Sequence, residues 1–125
     1  MIKAIVSKYQ KIPQIWEDVL PALKKKYKLA VINNGMGITV PEFKKRNNFK
    51  EFFELFINST EENVRKPDPR IYLLTCEKLK VKPEECVFID DSRINVDGAK
   101  KGGMQGIVYS DYEILKKDLF SLGLF

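Results

Sequence analysis

Two hydrophobic rhythms alternate along this chain. Short continuous apolar runs are separated by longer stretches in which apolar residues recur every three or four positions. Ile2, Ala4, Ile5 and Val6 open the chain as a run suited to a buried strand. Pro13 then starts a predicted helix with Ile15, Trp16, Val19, Leu20 and Leu23 on one face, closed by Lys24, Lys25 and Lys26. Leu29, Ala30, Val31 and Ile32 form a second run, stopped by Asn33-Asn34-Gly35. Pro41 to Phe53 reads as broken helical turns, with Phe43, Phe49, Phe52 and Phe53 turned inward. Leu55, Phe56 and Ile57 make the third strand.

The second half follows the same alternation. A loop carries Arg65-Lys66-Pro67-Asp68-Pro69, in which Asp68 is the predicted N-cap of a helix and Pro69 its first residue. That helix is expected to turn Ile71, Leu74 and Leu79 toward the core and to end before Val81. Cys86, Val87, Phe88 and Ile89 make a fourth strand, ending at Asp90-Asp91. A helix from about Ile94 to Lys101 leads through Gly102-Gly103 into a fifth strand, Gln105 to Tyr109. Asp111 to Leu122 is a last amphipathic helix. Continuous apolar strands alternating with helices predict an α/β fold, with a parallel sheet covered on both faces.

Composition narrows the class. The 125 residues are 44% hydrophobic and 31% charged, as expected of one soluble globular domain with its own core. No apolar run approaches the ~20 residues that span a bilayer. Nothing near Met1 reads as a targeting sequence, so a cytoplasmic location is expected. Cys76 and Cys86 fit no metal or redox motif and are expected to be reduced, partly buried thiols. The net charge of +5 comes largely from lysine clusters at 24–26, 44–46 (with Arg46), 100–101 and 116–117. These lie near predicted helix ends or polar faces and accompany no nucleic-acid-binding motif, so nucleic acid is not the expected partner. A small anion fits the charge equally well.

In open parallel sheets, ligands bind beyond the carboxyl ends of the strands. The residues at those positions are Ser7, Lys8, Tyr9 and Gln10; Asn33, Asn34 and Gly35; Asn58 and Ser59; and Asp90, Asp91 and Ser92. Adjacent carboxylates such as Asp90 and Asp91 repel unless a cation lies near them, and a hard divalent ion is the usual answer. The structural alternative is that one acid caps the next helix while the other faces water. Asn33 and Asn34 by themselves suggest a turn.

Order and spacing add to this. LAVINNG (29–35), VRKPDPRIY (64–72) and VFIDDSRINVDGAKKGGMQGIVY (87–109) resemble the haloacid dehalogenase superfamily. The resemblance implies a Rossmann-like three-layer sandwich around five parallel strands. Ile2 to Val6 should lie in the middle, flanked by Cys86–Ile89 and Leu29–Ile32. It implies a Mg²⁺-dependent phosphomonoester phosphatase acting on a small phosphorylated molecule. Asn33 and Lys66 would take catalytic places; Asn33, Asn34 and Lys66 would bind the phosphoryl group; Asp90 and Asp91 would help hold Mg²⁺. Gly98, Ala99 and Gly102 match helix-packing positions.

The family's chemistry begins with Asp-x-Asp after the first strand, the first Asp attacking phosphorus and the second moving the proton. Here MIKAIV is followed by Ser7, Lys8, Tyr9 and Gln10, so Lys8 stands in the nucleophile's place and Gln10 in that of the acid/base. Neither forms an aspartyl-phosphate. SKYQKIPQIW resembles the exit of a cap domain, so residues 1–125 read as a single capless core. Mg²⁺ binding is therefore expected to be weak or lost, and activity absent or crippled. Two alternatives are a non-catalytic anion-binding module and a half-enzyme completed by a partner chain, with a homo-oligomer also open. A pairing of Lys8 with one of the two aspartates is the expected substitute for the metal.

Overall fold

The computed structural model describes residues 1–8, 19–34 and 52–124. Five strands form one parallel sheet: β1 (Ala4–Ser7), β2 (Lys28–Asn33), β3 (Leu55–Asn58), β4 (Cys86–Asp90) and β5 (Gln105–Val108). Their order is β3-β2-β1-β4-β5, so the first strand is central, between the two neighbours expected from the sequence. Ala4 pairs with Lys28 on one side and with Cys86 on the other.

The continuous apolar runs follow from this placement. Successive residues of a strand point to opposite faces, and here both faces are covered. Ile5, Leu29, Val31, Val87, Ile89 and Ile107 pack on one side against Leu20, Leu23, Leu115 and Leu119. Ala4, Val6, Ala30, Ile32, Cys86 and Phe88 pack on the other against Ile71, Tyr72, Cys76, Val96 and Ala99. The sheet is thus the middle of three layers.

The helices are α1 (Leu20–Lys24), α2 (Ser59–Glu62), α3 (Pro69–Leu79), α4 (Arg93–Lys101) and α5 (Tyr112–Ser121). Asp68 caps α3 by accepting from the Arg70 N–H at 2.9 Å, with Pro69 at the first turn as predicted. The helix stops at Lys80, which adopts the left-handed conformation at φ 59°, with Val81 N–H donating back to the Cys76 carbonyl at 3.1 Å.

Several boundaries differ from expectation. β1 starts at Ala4 rather than Ile2, β3 and β4 each run one residue further, and β5 stops at Val108. Leu74 is half-buried; the inward stripe of α3 is Ile71, Tyr72, Thr75, Cys76 and Leu79, and at 100° per residue Leu74 falls to its side. The short α2 is an element that the apolar pattern does not predict; Asn58 caps it by accepting from Thr60 N–H at 2.9 Å. Cys76 and Cys86 are fully buried free thiols with Sγ atoms 3.4 Å apart. The predicted helical residues 13–18, the turns at 41–51, Lys44, Lys45, Arg46 and Gln10 lie outside the described residues. Among the described residues no helix is long and apolar enough to cross a membrane.

Candidate functional site

Parallel register brings the strand ends to one edge. Ser7 of β1 lies beside Val31 and Ile89, and Asn33 of β2 beside Asn58 of β3. Lys8 continues from β1, its N–H donating to the Ile89 carbonyl at 3.0 Å, so it leaves the sheet next to Asp90 and Asp91.

Lys66 reaches the same edge from the loop before α3, and two contacts fix that loop. The Asn34 side chain grips the Lys66 backbone at both ends: its Oδ1 accepts from Lys66 N–H at 3.0 Å and its Nδ2 donates to the Lys66 carbonyl at 3.1 Å. Gly98 of α4 forms the second contact. A Cβ there would stand 2.4 Å from the Pro67 carbonyl oxygen, so only glycine lets the helix come this close.

Thus held, Lys66 Nζ donates to Asp90 Oδ2 at 2.8 Å, with side-chain exposures of 2% and 0%. Asp90 is engaged at both oxygens: Oδ1 accepts from Ser92 N–H at 2.9 Å, and Oδ2 also accepts from Asn95 Nδ2 at 3.2 Å. Lys66, Ser92 and Asn95 thus give this buried carboxyl group three protein donors. The Lys66 ammonium also lies 5.6 Å from the centre of the Phe88 ring. That ring meets Tyr72 edge to face at 5.1 Å, and the Tyr72 hydroxyl donates to the Asn95 carbonyl at 2.6 Å. Burial lowers the Lys66 pKa, and the adjacent Asp90 carboxylate opposes that shift.

Asp91 occupies a different environment. Its Oδ1 accepts from Lys8 Nζ at 3.0 Å, with the two side chains 42% and 53% exposed. Its carboxyl is held below the ordinary range by a hydrogen bond with the Asp90 carboxyl and by the hydrogen bond from Lys8. The pairing expected of Lys8 is therefore present, and its partner is Asp91.

Asn33, Asn34, Lys66, Asp90, Asp91 and Lys8 thus share one edge of the sheet. Within that set, the Asn34 side chain is committed to the Lys66 backbone. Lys66 is so deeply buried that its charge would reach a ligand mainly as a field. Asn33 Nδ2 is a buried donor without a hydrogen-bond partner among the described residues. Sequence reasoning missed Asn95 and Tyr72, which hold Asp90 and its surroundings. A usable signal for Asn95 was its place three residues after Ser92, whose Oγ caps α4 by accepting from Asn95 N–H at 3.4 Å. Such a first-turn side chain faces back toward the strand end.

These residues do not fit a magnesium ion. Mg²⁺ needs near-octahedral oxygen ligands, with carboxylates free to face it. Both Asp90 oxygens are engaged by protein donors, and Asp91 already holds an ammonium. Among the described residues no three acidic, histidine or cysteine side chains converge as a metal site. Lys8, Lys66, Asp90 and Asp91 also balance in charge, two against two, which removes the electrostatic pull on a dication.

A family model described as haloacid dehalogenase-like hydrolase matches residues 2–103. A phosphorylated carbohydrates phosphatase of Thermotoga maritima is 34% identical over 101 residues, covering 78% of this chain and 47% of that protein. The chain therefore spans about half the length of that relative. A HAD family enzyme of Bacteroides thetaiotaomicron, crystallised with magnesium and inorganic phosphate, has a TM-score of 0.70 at 28% identity, covering 83% of this chain and 57% of that one. An uncharacterized protein of Corynebacterium glutamicum superimposes with a TM-score of 0.85 over 99% of this chain and 95% of its own; at 21% identity this is a likeness of fold.

Proposed function

The chain belongs to the haloacid dehalogenase-like hydrolases, and from that premise we propose that it recognises the phosphoryl group of a small phosphorylated molecule without hydrolysing it. The observation that carries this reading is the ammonium of Lys8, half-exposed at the end of β1, where the family's chemistry calls for a carboxylate nucleophile. A lysine there cannot form an acyl-phosphate, and loss of a catalytic nucleophile costs on the order of a millionfold in rate where it has been measured.

Recognition needs less than catalysis. Lys8 offers three N–H donors, of which one goes to Asp91, and among the described residues the others meet no acceptor, which leaves them for an anion at the strand ends. Lys66 adds a buried positive charge behind it. The unmatched Asn33 Nδ2 supplies a donor at the place where the resemblance puts a phosphoryl contact. Relatives of this chain include phosphatases, which supports a phosphoryl group as the ligand.

The test is turnover of p-nitrophenyl phosphate by the purified chain in Mg²⁺, beside a variant carrying Asp90→Asn and Asp91→Asn. The expected result is the same background rate in both. Clear turnover that disappears in the double variant would sink the non-hydrolysing reading. Binding of inorganic phosphate, followed by chemical-shift changes at Lys8 and Asn33, tests recognition separately.

A further inference from the structure

We infer that Lys8 is a built-in replacement for the divalent cation, so that this chain binds phosphate without any metal and no longer competes for Mg²⁺. The inference rests on the phosphoryl-recognition reading above and specifies its electrostatics.

The first argument is positional. Lys8 follows β1, the central strand, and its backbone is pinned to β4 through the Ile89 carbonyl. Its side chain therefore emerges between the end of β2 and the Asp90-Asp91 pair, with its ammonium 3.0 Å from Asp91 Oδ1. That is hydrogen-bonding distance between opposite charges, on the Asp91 side of the acidic pair.

The second is the charge count. A carboxylate dyad by itself attracts a dication. Here each carboxylate has its own ammonium, Lys66 for Asp90 and Lys8 for Asp91, and the cluster is neutral before any ion arrives. Adding Mg²⁺ would leave two uncompensated positive charges near two lysines. Mg²⁺ would add to the positive field of both lysines, whereas an anion can accept a hydrogen bond from the Lys8 ammonium.

The third is coordination. Asp90 accepts three hydrogen bonds from Lys66, Asn95 and the Ser92 backbone, so turning it toward a metal would leave buried donors unmatched. Asp91 alone is a poor Mg²⁺ ligand set. An ammonium has no such demand, since it neutralises Asp91 with one N–H and turns the rest outward.

The experiment compares wild type, Lys8→Gln and Lys8→Asp by calorimetry and thermal unfolding. Mg²⁺ alone, inorganic phosphate alone with EDTA, and both together are the probes. Wild type should give no Mg²⁺ heat and no Mg²⁺-dependent stabilisation, and should bind phosphate equally with EDTA or Mg²⁺. Lys8→Asp should gain Mg²⁺ affinity by about tenfold or more and bind phosphate only when Mg²⁺ is present. Lys8→Gln should lose metal-free phosphate binding without gaining the metal, which separates charge from side-chain bulk. Equal Mg²⁺ affinity in wild type and Lys8→Asp overturns the inference, as does wild-type phosphate binding that requires Mg²⁺. Absence of phosphate binding in every protein overturns the recognition reading instead, and the metal titration distinguishes that failure because it is read without phosphate. Lys8 is half-exposed and outside the core, and coincident unfolding baselines would confirm that all three proteins fold.

Discussion

Lys66–Asp90 and Lys8–Asp91 place the same two kinds of charge on neighbouring carboxylates, at 2.8 and 3.0 Å, yet they are different objects. The first is sealed, with side-chain exposures of 2% and 0%, and is surrounded by Phe88, Tyr72 and the donors of the α4 N-terminus. The second stands half in water. In the first, each charge is tolerated only because the other is there, so the pair is part of the architecture. In the second, water can solvate either partner alone, so the pair can be exchanged for another ion arrangement. Burial rather than distance decides which ion pair holds the fold and which can be rewired for function.

The comparison breaks most visibly at Lys66. Lys66→Met should lower stability by about 3–5 kcal/mol in urea unfolding, because Asp90 is left buried and unpaired. Adding Asp90→Leu should recover only part of that, since Ser92 N–H and Asn95 Nδ2 lose their acceptor. A cost below about 1 kcal/mol for Lys66→Met would place the pair in water and erase the distinction.

A smaller effect should come from Gly98→Ala, which tests the support of the buried pair and leaves its charges in place. The new methyl group would press on the Pro67 backbone, and overpacking of this kind costs about 1–3 kcal/mol. Hydrogen exchange at Lys66 N–H, which Asn34 normally holds, should rise together with the loss of thermal stability. Unchanged exchange would mean that α4 does not position the loop.

The smallest effect belongs to the exposed pair. Lys8→Ala should change stability by about 0–1 kcal/mol, an effect that disappears in high salt, whereas the Lys66 effect persists there. Its clearer signature is in pH. The Asp91 carboxyl is lowered in the folded chain, so its contribution is complete above the ordinary value of 3.8 and is lost as pH falls through the lowered one. An NMR titration should find the Asp91 midpoint below 3.8 in wild type and closer to it in Lys8→Ala. An identical midpoint in both proteins would remove Lys8 as a contributor to that shift.

Much of the fold was legible locally. Ala4-Ile5-Val6 and Leu29 to Ile32 are apolar at every position because both faces of their strands are covered, and such runs announce buried parallel strands without reference to anything distant. Asp68-Pro69 marked the start of α3 through cap chemistry that involves only residues two apart. The α2 segment escapes such local reading, because its Asn58 cap and Ser-Thr-Glu-Glu run are too short to carry a helical period. The apolar character of Leu74 points it to the core, whereas the stripe that packs is set by where α3 lies on the sheet.

The sequence by itself determined the family, the alternation of strands and helices, the presence of Asp90-Asp91 at a strand end and the absence of Asp-x-Asp after MIKAIV. These are legible because strand patterning, caps and motifs are set within a few residues of one another. Only the tertiary structure decided which lysine meets which aspartate. Lys66 and Asp90 are 24 residues apart and Lys8 and Asp91 are 83 apart. Both meetings depend on β1 lying beside β4 and on Asn34 and Gly98 steering the Lys66 loop. Composition shows equal charges in both pairs. The dielectric around them, and hence whether a pair is a structural post or a replaceable counter-ion, exists only once Phe88, Tyr72 and α4 have closed over one pair and left the other in water.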